Sequence, residues 1–138
     1  MTAEEIIKET RRDLALLENY KEKIYQLHRR DFLLAKKYPV TFQHEWVSPA
    51  TRNKWRVTIT CHSKKTREAP EIYHYSPYAT SRGVGVIFPF YDLDTEDWAF
   101  SRFTGHFFSR YRNRYLIPNN LCTSGMDVID YFIKDNIS

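Results

Sequence analysis

His106, Arg110 and Arg114 follow one another at intervals of four residues in the segment Phe103-Thr104-Gly105-His106-Phe107-Phe108-Ser109-Arg110-Tyr111-Arg112-Asn113-Arg114-Tyr115. On a helix this spacing stacks the three side chains along one face. An imidazole moves protons near neutral pH, and a guanidinium fork holds a phosphate or a carboxylate. RNA cleavage by transesterification needs a base for the 2′-hydroxyl, charge stabilisation at phosphorus and an acid for the leaving oxygen. His106 is the candidate base or acid, and Arg110 and Arg114 are the candidate phosphate holders. With Thr104 as N-cap, His106 lies in the first turn, where free backbone amides favour an anion. A solvated basic face would carry the same row.

The segment resembles the Thr-x-His-x-x-x-Arg-x-x-x-Arg helix of small toxin-like domains distantly related to the RelE/ParE ribonuclease-toxin superfamily. Thr104, His106, Arg110 and Arg114 are the matching positions, about a dozen residues in all. Those domains generally place the helix before their sheet, whereas here the expected strands precede it. The resemblance implies an RNA-cleaving or ribosome-directed fold with histidine and arginine at its site.

A second candidate is the cationic run His62-Ser63-Lys64-Lys65-Thr66-Arg67, which continues the polar strand face Arg56, Thr58, Thr60, His62. Tyr73, Tyr75 and Tyr78 fall on the next expected strand. Together they can make a basic, aromatic-lined surface of the kind that binds single strands through phosphate contacts and stacking. An ordinary solvated hairpin loop has the same composition. Arg112 adds a further cation beside the histidine row.

Metal chemistry has no sequence signature here. The five histidines (His28, His44, His62, His74, His106) show no His-Glu-x-x-His, and no Cys-x-x-Cys occurs. No metal and no cofactor is therefore expected. Phosphate-loop, dinucleotide-glycine and Gly-x-Ser-x-Gly motifs are absent too. The carboxylates at Asp92, Asp94, Glu96 and Asp97 suit helix-capping and dipole-complementing roles better than a glycosidase pair.

The chain has 138 residues, the size of one domain with a real core, and 42% of them are hydrophobic and 16% aromatic. Net charge is +4, but its distribution says more. Trp46 to Arg67 contains six cations and no acid, and Trp98 to Met126 contains four arginines and no acid. Such stretches favour polyanionic partners. Two cysteines imply no disulfide framework, the N-terminus has no signal-peptide pattern, and no apolar run is long enough to span a bilayer. The expected location is cytoplasmic, without membrane association.

The positioning elements follow from periodicity. Residues 3–37 lack Pro and Gly and carry apolar residues at the helical period. Thr2 and Glu5 have the spacing of a capping box, Lys36 and Lys37 suit the helix C-terminus, and Pro39 stops it. A straight helix of that length is about 50 Å long. It would overhang its own domain, so either a break near Asn19 or a partner chain covering it in coiled-coil or oligomeric fashion is expected. Alternating strands follow at Val40–Trp46, Trp55–Cys61, Glu71–Thr80 and Val84–Tyr91, with the last apolar on both faces. Asp94 or Thr95 is read as capping a short helix through Trp98, Thr104 as capping the His/Arg helix to Pro118, and Ser124 as capping a last helix with Met126, Ile129, Phe132 and Ile133.

The expected fold is α+β: a long N-terminal helix, a four-stranded antiparallel sheet and two to three C-terminal helices, with 1–38 as a helical arm and 39–138 as the α+β domain. The leading expectation for function is a nucleic-acid-binding protein directed at RNA, with metal-independent, toxin-type cleavage as the chemistry its histidine row would support. The alternative is a non-enzymatic interaction subunit or inhibitor that docks through residues 3–37.

Overall fold

A computed structural model describes residues 3–80, 83–116, 118–119, 121, 128–129 and 132–133. Helix α1 spans Ala3–Leu34, followed by strands β1 (Val40–Val47), β2 (Lys54–Cys61), β3 (Glu71–Thr80), β4 (Gly83–Asp92) and β5 (Asp97–Phe103), then helix α2 (Gly105–Tyr111). A 3-10 turn occupies Lys64–Thr66 and a π-helical turn Arg112–Leu116. The strands form a five-stranded antiparallel sheet in chain order. The chain divides into two compact units, Met1–Ser76 and Pro77–Ser138.

In the first unit α1 packs on β1–β3. Its buried residues Thr10, Asp13, Leu14, Leu17, Ile24, His28 and Phe32 recur at three- and four-residue steps, one face of a helix. The helix runs unbroken through Asn19, and most of its length has a floor on the sheet. It ends at Leu34, short of the expected Lys37, so Lys36 and Lys37 lie in the connection. Pro39 disfavours helical backbone at Tyr38, and the Tyr38 hydroxyl donates to the Phe32 carbonyl at 2.8 Å, satisfying one of the acceptors a helix end leaves open.

β2 supplies the floor. Trp55, Val57, Ile59 and Cys61 alternate along it and are fully buried, each apolar side chain of that size contributing about 1.5–3 kcal/mol. Pairing sets Phe42 beside Ile59, His44 beside Val57 and Trp46 beside Trp55. Tyr20 of α1 stacks on Trp46 at 5.6 Å. Asp13, also fully buried, receives the Trp55 indole N–H at 2.9 Å and the Thr51 hydroxyl at 2.8 Å, fastening α1 to the β1–β2 turn.

The second unit holds the β4–β5 hairpin, paired from Val86↔Phe103 to Asp92↔Asp97. This hairpin corrects two expectations, for β5 replaces the short helix proposed at Asp94 or Thr95 through Trp98 and raises the strand count to five. The acids there make turn contacts: the Asp92 carboxylate accepts from the Asp94 N–H at 2.9 Å, and Glu96 takes φ of 54°. Chain reversal follows, and Asp97–Phe103 continues at strand period.

An aromatic cluster joins α2 to the end of the chain. Phe103, Phe107, Phe108 and Phe132 lie in mutual ring contact at 5.0–6.2 Å between centroids. Phe108 is the buried member on α2, and Phe107 is 36% exposed. Of the expected last helix, Ser124 and Met126 lie outside the described residues. Val128, Ile129, Phe132 and Ile133 are helical and buried. Among the described residues α2 is the one C-terminal α-helix defined as an element, against the two to three expected.

Candidate nucleic-acid interface

Thr104 has extended backbone (φ −82°, ψ 162°), and its hydroxyl accepts from the Phe107 N–H at 3.2 Å, so the cap expected from the sequence is present. His106 and Arg110 are on α2, one turn apart and exposed. Arg114, also exposed, lies beyond α2 in the π-helical turn, where each turn takes in more residues than in an α-helix. The row is thus a two-part feature: an α-helical pair and a third cation on a wider turn. None of the three has a hydrogen-bond or ion-pair partner among the described residues. Arg112 opens the π-helical turn and is half-buried, its backbone N–H bonded to the Phe108 and Ser109 carbonyls.

In the first unit the cationic run forms the β2–β3 connection. The Ser63 N–H donates to the Thr66 hydroxyl at 3.2 Å and the Thr66 N–H to the Ser63 carbonyl at 3.1 Å, a local closure that holds the 3-10 turn. Lys64 and Lys65 are exposed and Arg67 half-exposed, and no carboxylate pairs with them among the described residues. The acids nearest in sequence are engaged elsewhere. Glu68 accepts from the Tyr25 hydroxyl at 3.2 Å and lies 3.8 Å from Arg29, both on α1. Glu71 lies 2.5 Å from His62 Nε2. Local positive charge is therefore uncompensated at the turn.

The His62–Glu71 contact was invisible in the sequence. Its source is the β2–β3 register, which sets Thr60 opposite Glu71 and brings position 62 back over that carboxylate. A carboxylate on Nε2 fixes that nitrogen as the proton-bearing one and orients the ring, leaving Nδ1 as the acceptor.

Other members of the proposed surface are committed to the fold. Arg56 donates to the Gln43 side-chain oxygen at 2.7 Å and reaches the Tyr75 hydroxyl at 3.4 Å. Tyr75 is 1% exposed, so its ring offers no stacking face. Lys54 lies 3.8 Å from Glu45. In the second unit Tyr78 is held by Arg102, whose Nε donates to its hydroxyl at 2.9 Å while the guanidinium sits 5.5 Å from the ring centroid. The ring also fills the space over Gly85, where a Cβ would come within 2.8 Å of the Phe103 carbonyl and collide with Tyr78. Of the expected aromatic platform, Tyr73 and Tyr78 are half-exposed and Tyr75 is buried.

Two sets of uncompensated cations remain, Lys64, Lys65 and Arg67 in one unit and Arg110 and Arg114 in the other, each with an exposed histidine. They can hold phosphates, and Tyr115, exposed and stacked on Tyr111 with centroids 5.3 Å apart, adjoins Arg114 of the second set. Comparison with protein-family models, curated proteins and solved structures found no match.

Proposed function

We propose that this protein binds nucleic acid, with single-stranded RNA as the preferred form, through Lys64, Lys65 and Arg67 together with Arg110 and Arg114. The observation that carries this reading is that these cations are solvent-facing and lack carboxylate partners among the described residues, while Glu68 and Glu71 are drawn to other groups. Phosphate contacts of this kind supply affinity without base readout. Cleavage is the further step that the resemblance of Thr104, His106, Arg110 and Arg114 to ribonuclease-toxin helices proposes. His106 supplies one proton-transfer group there, and Arg110 supplies charge for the phosphorane.

The test is a gel-shift titration of labelled single-stranded RNA at about 50 mM salt, repeated in EDTA with product analysis. Binding should weaken steeply as salt rises. The Lys64→Ala/Lys65→Ala/Arg67→Ala and Arg110→Ala/Arg114→Ala variants should each lose roughly tenfold in affinity. His106→Ala should abolish any cleavage and leave binding nearly unchanged. Absence of a shift for wild type at low salt would end the nucleic-acid reading.

A second reading has its own support. Leu16, Leu27 and Leu34 recur at spacings that bring them to one side of α1, away from its buried face, and Leu27 and Leu34 are each 65% exposed. An interaction subunit would use that stripe. Leu27→Lys should then dissociate an assembly detected by light scattering, with no effect on RNA binding.

A further inference from the structure

Two Arg-Tyr pairs, Arg110-Tyr111 and Arg114-Tyr115, follow one another four residues apart in the second unit. With Phe107 the tyrosines make an aromatic row, each ring one position after a member of the row His106, Arg110, Arg114. Rings and cations therefore run side by side. The basic side chains are exposed, whereas the rings are tied to the core.

The tie can be followed ring by ring. Phe132 is buried and meets Tyr111 edge-on, with centroids 5.5 Å apart and planes at 82°. Tyr111 is half-buried and stacks on Tyr115 with planes 23° from parallel. Tyr115 is the outermost of these three rings and is 44% exposed. Its backbone is pinned as well. The Tyr115 carbonyl accepts from the Asn119 side-chain amide at 2.7 Å and from the Asn119 N–H at 3.2 Å. One face of Tyr115 is thus backed, and a flat ring fixed in advance lowers the ordering cost of whatever stacks on it.

Exposure of a ring does not suffice, and charge decides between the candidates. Tyr91 is 51% exposed and meets Trp98 edge-on, but Asp92, Asp94, Glu96 and Asp97 follow it in the hairpin turn. Those carboxylates repel a phosphate backbone. Tyr78 already carries the Arg102 guanidinium over its ring. Around Tyr115 the sign is favourable, since Trp98 to Met126 holds four arginines and no acid.

We propose that Tyr115, backed by Tyr111, is a stacking platform for one unpaired base of an RNA strand whose phosphates Arg110 and Arg114 hold. The proposal rests on the nucleic-acid reading above and deepens it, because phosphate contacts alone do not tell a single strand from a duplex. An aromatic platform does. Every base offers a π-face, but in a duplex the neighbouring pairs cover it. The platform accordingly tolerates any base, favours the stronger stacking of purines and selects unpaired strand.

The experiment compares a short oligoadenylate with an abasic ribose-phosphate strand of equal length and charge, both titrated into the full-length chain. Wild type should bind the oligoadenylate roughly 5–100-fold more tightly. Tyr115→Ala should lose that advantage while keeping its abasic affinity and its salt slope, and Tyr115→Trp should retain the advantage. Arg114→Ala should weaken both strands alike and flatten the salt slope, and Tyr91→Ala should change neither. Because Tyr115→Ala could loosen the π-helical turn, ring-proton resonances of the wild-type protein give a readout without substitution. Those of Tyr115 should move upfield with oligoadenylate and stay with the abasic strand. Equal wild-type affinity for the two strands, or a Tyr115→Ala loss that is the same on both, overturns the platform and leaves phosphate binding standing. Failure of wild type to bind either strand at low salt overturns both.

Discussion

Asp13 and His74 are buried polar residues of the first unit that impose opposite demands on its core. Asp13 gathers donors from three residues of the β1–β2 turn region, the Trp55 indole at 2.9 Å, the Thr51 hydroxyl at 2.8 Å and the Asn53 amide at 3.4 Å. Replacing it with Ala strands buried donors, and the expected cost is roughly 2–4 kcal/mol in urea unfolding. Asp13→Asn should cost less, since its carbonyl still accepts and the Thr51 hydroxyl can turn to accept in its place. Equal losses for the two variants would show that hydrogen-bond satisfaction is not what Asp13 supplies. His74 is buried against Trp55, and that burial pushes its pKa down to about 3, with the charge of Lys21 adding to the effect. Between pH 6.5 and that value the unfolded chain binds a proton there and the native chain does not. Stability from this residue is full above pH 6.5 and falls with acidification by about 1.4 kcal/mol per pH unit. His44, also lowered, adds a loss of the same sign. His74→Leu should flatten the stability profile between pH 4 and 6.5, measured by denaturant melts at each pH; a slope identical to wild type would remove His74 as its origin.

At the scale of elements, local chemistry decided which sequence signals held. The Thr104 cap was legible because a hydroxyl followed by a free N–H three residues on is a purely local device, and that bond is present. Thr104→Ala should cost about 0.5–2 kcal/mol and Thr104→Ser far less, and the loss should weaken RNA binding by the Arg110 and Arg114 set if α2 presents those residues. Stability loss with unchanged affinity would detach the helix from the function. The long α1 was legible for a related reason, its period unbroken by Pro or Gly. β5 was not. Asp94 and Thr95 suit a helix start and a hairpin turn equally, and only the pairing of β5 with β4 makes strand the better outcome. The π-helical turn at Arg112–Leu116 was also hidden, because a side-chain row at four-residue spacing reads the same until backbone bonding is known.

For the molecule as a whole, the charge pattern of the sequence was legible and its pairing was not. Runs without acids showed where cations concentrate, but only the fold reveals that Arg56 is spent on Gln43 and Lys54 on Glu45. The contact between His28 and His44 was equally out of reach, as a helix and a strand bring together residues 16 positions apart that match no ligand motif. Among the proposed contact residues, the cations without a carboxylate partner among the described residues are divided between the two units, and that division can be read from the salt dependence of binding. Each phosphate neutralised on a single strand contributes about −0.7 to the slope of log affinity against log salt. If Lys64, Lys65, Arg67, Arg110 and Arg114 all engage one RNA, the slope should approach about −3.5; engagement by the first unit's set alone gives about −2, and by the second's about −1.4. The triple variant at Lys64, Lys65 and Arg67 should then lower a full slope by about two and leave the remainder to the arginines. A wild-type slope that this variant leaves unaltered would place RNA contact outside the β2–β3 turn, and one that neither variant alters would remove both sets from the interface.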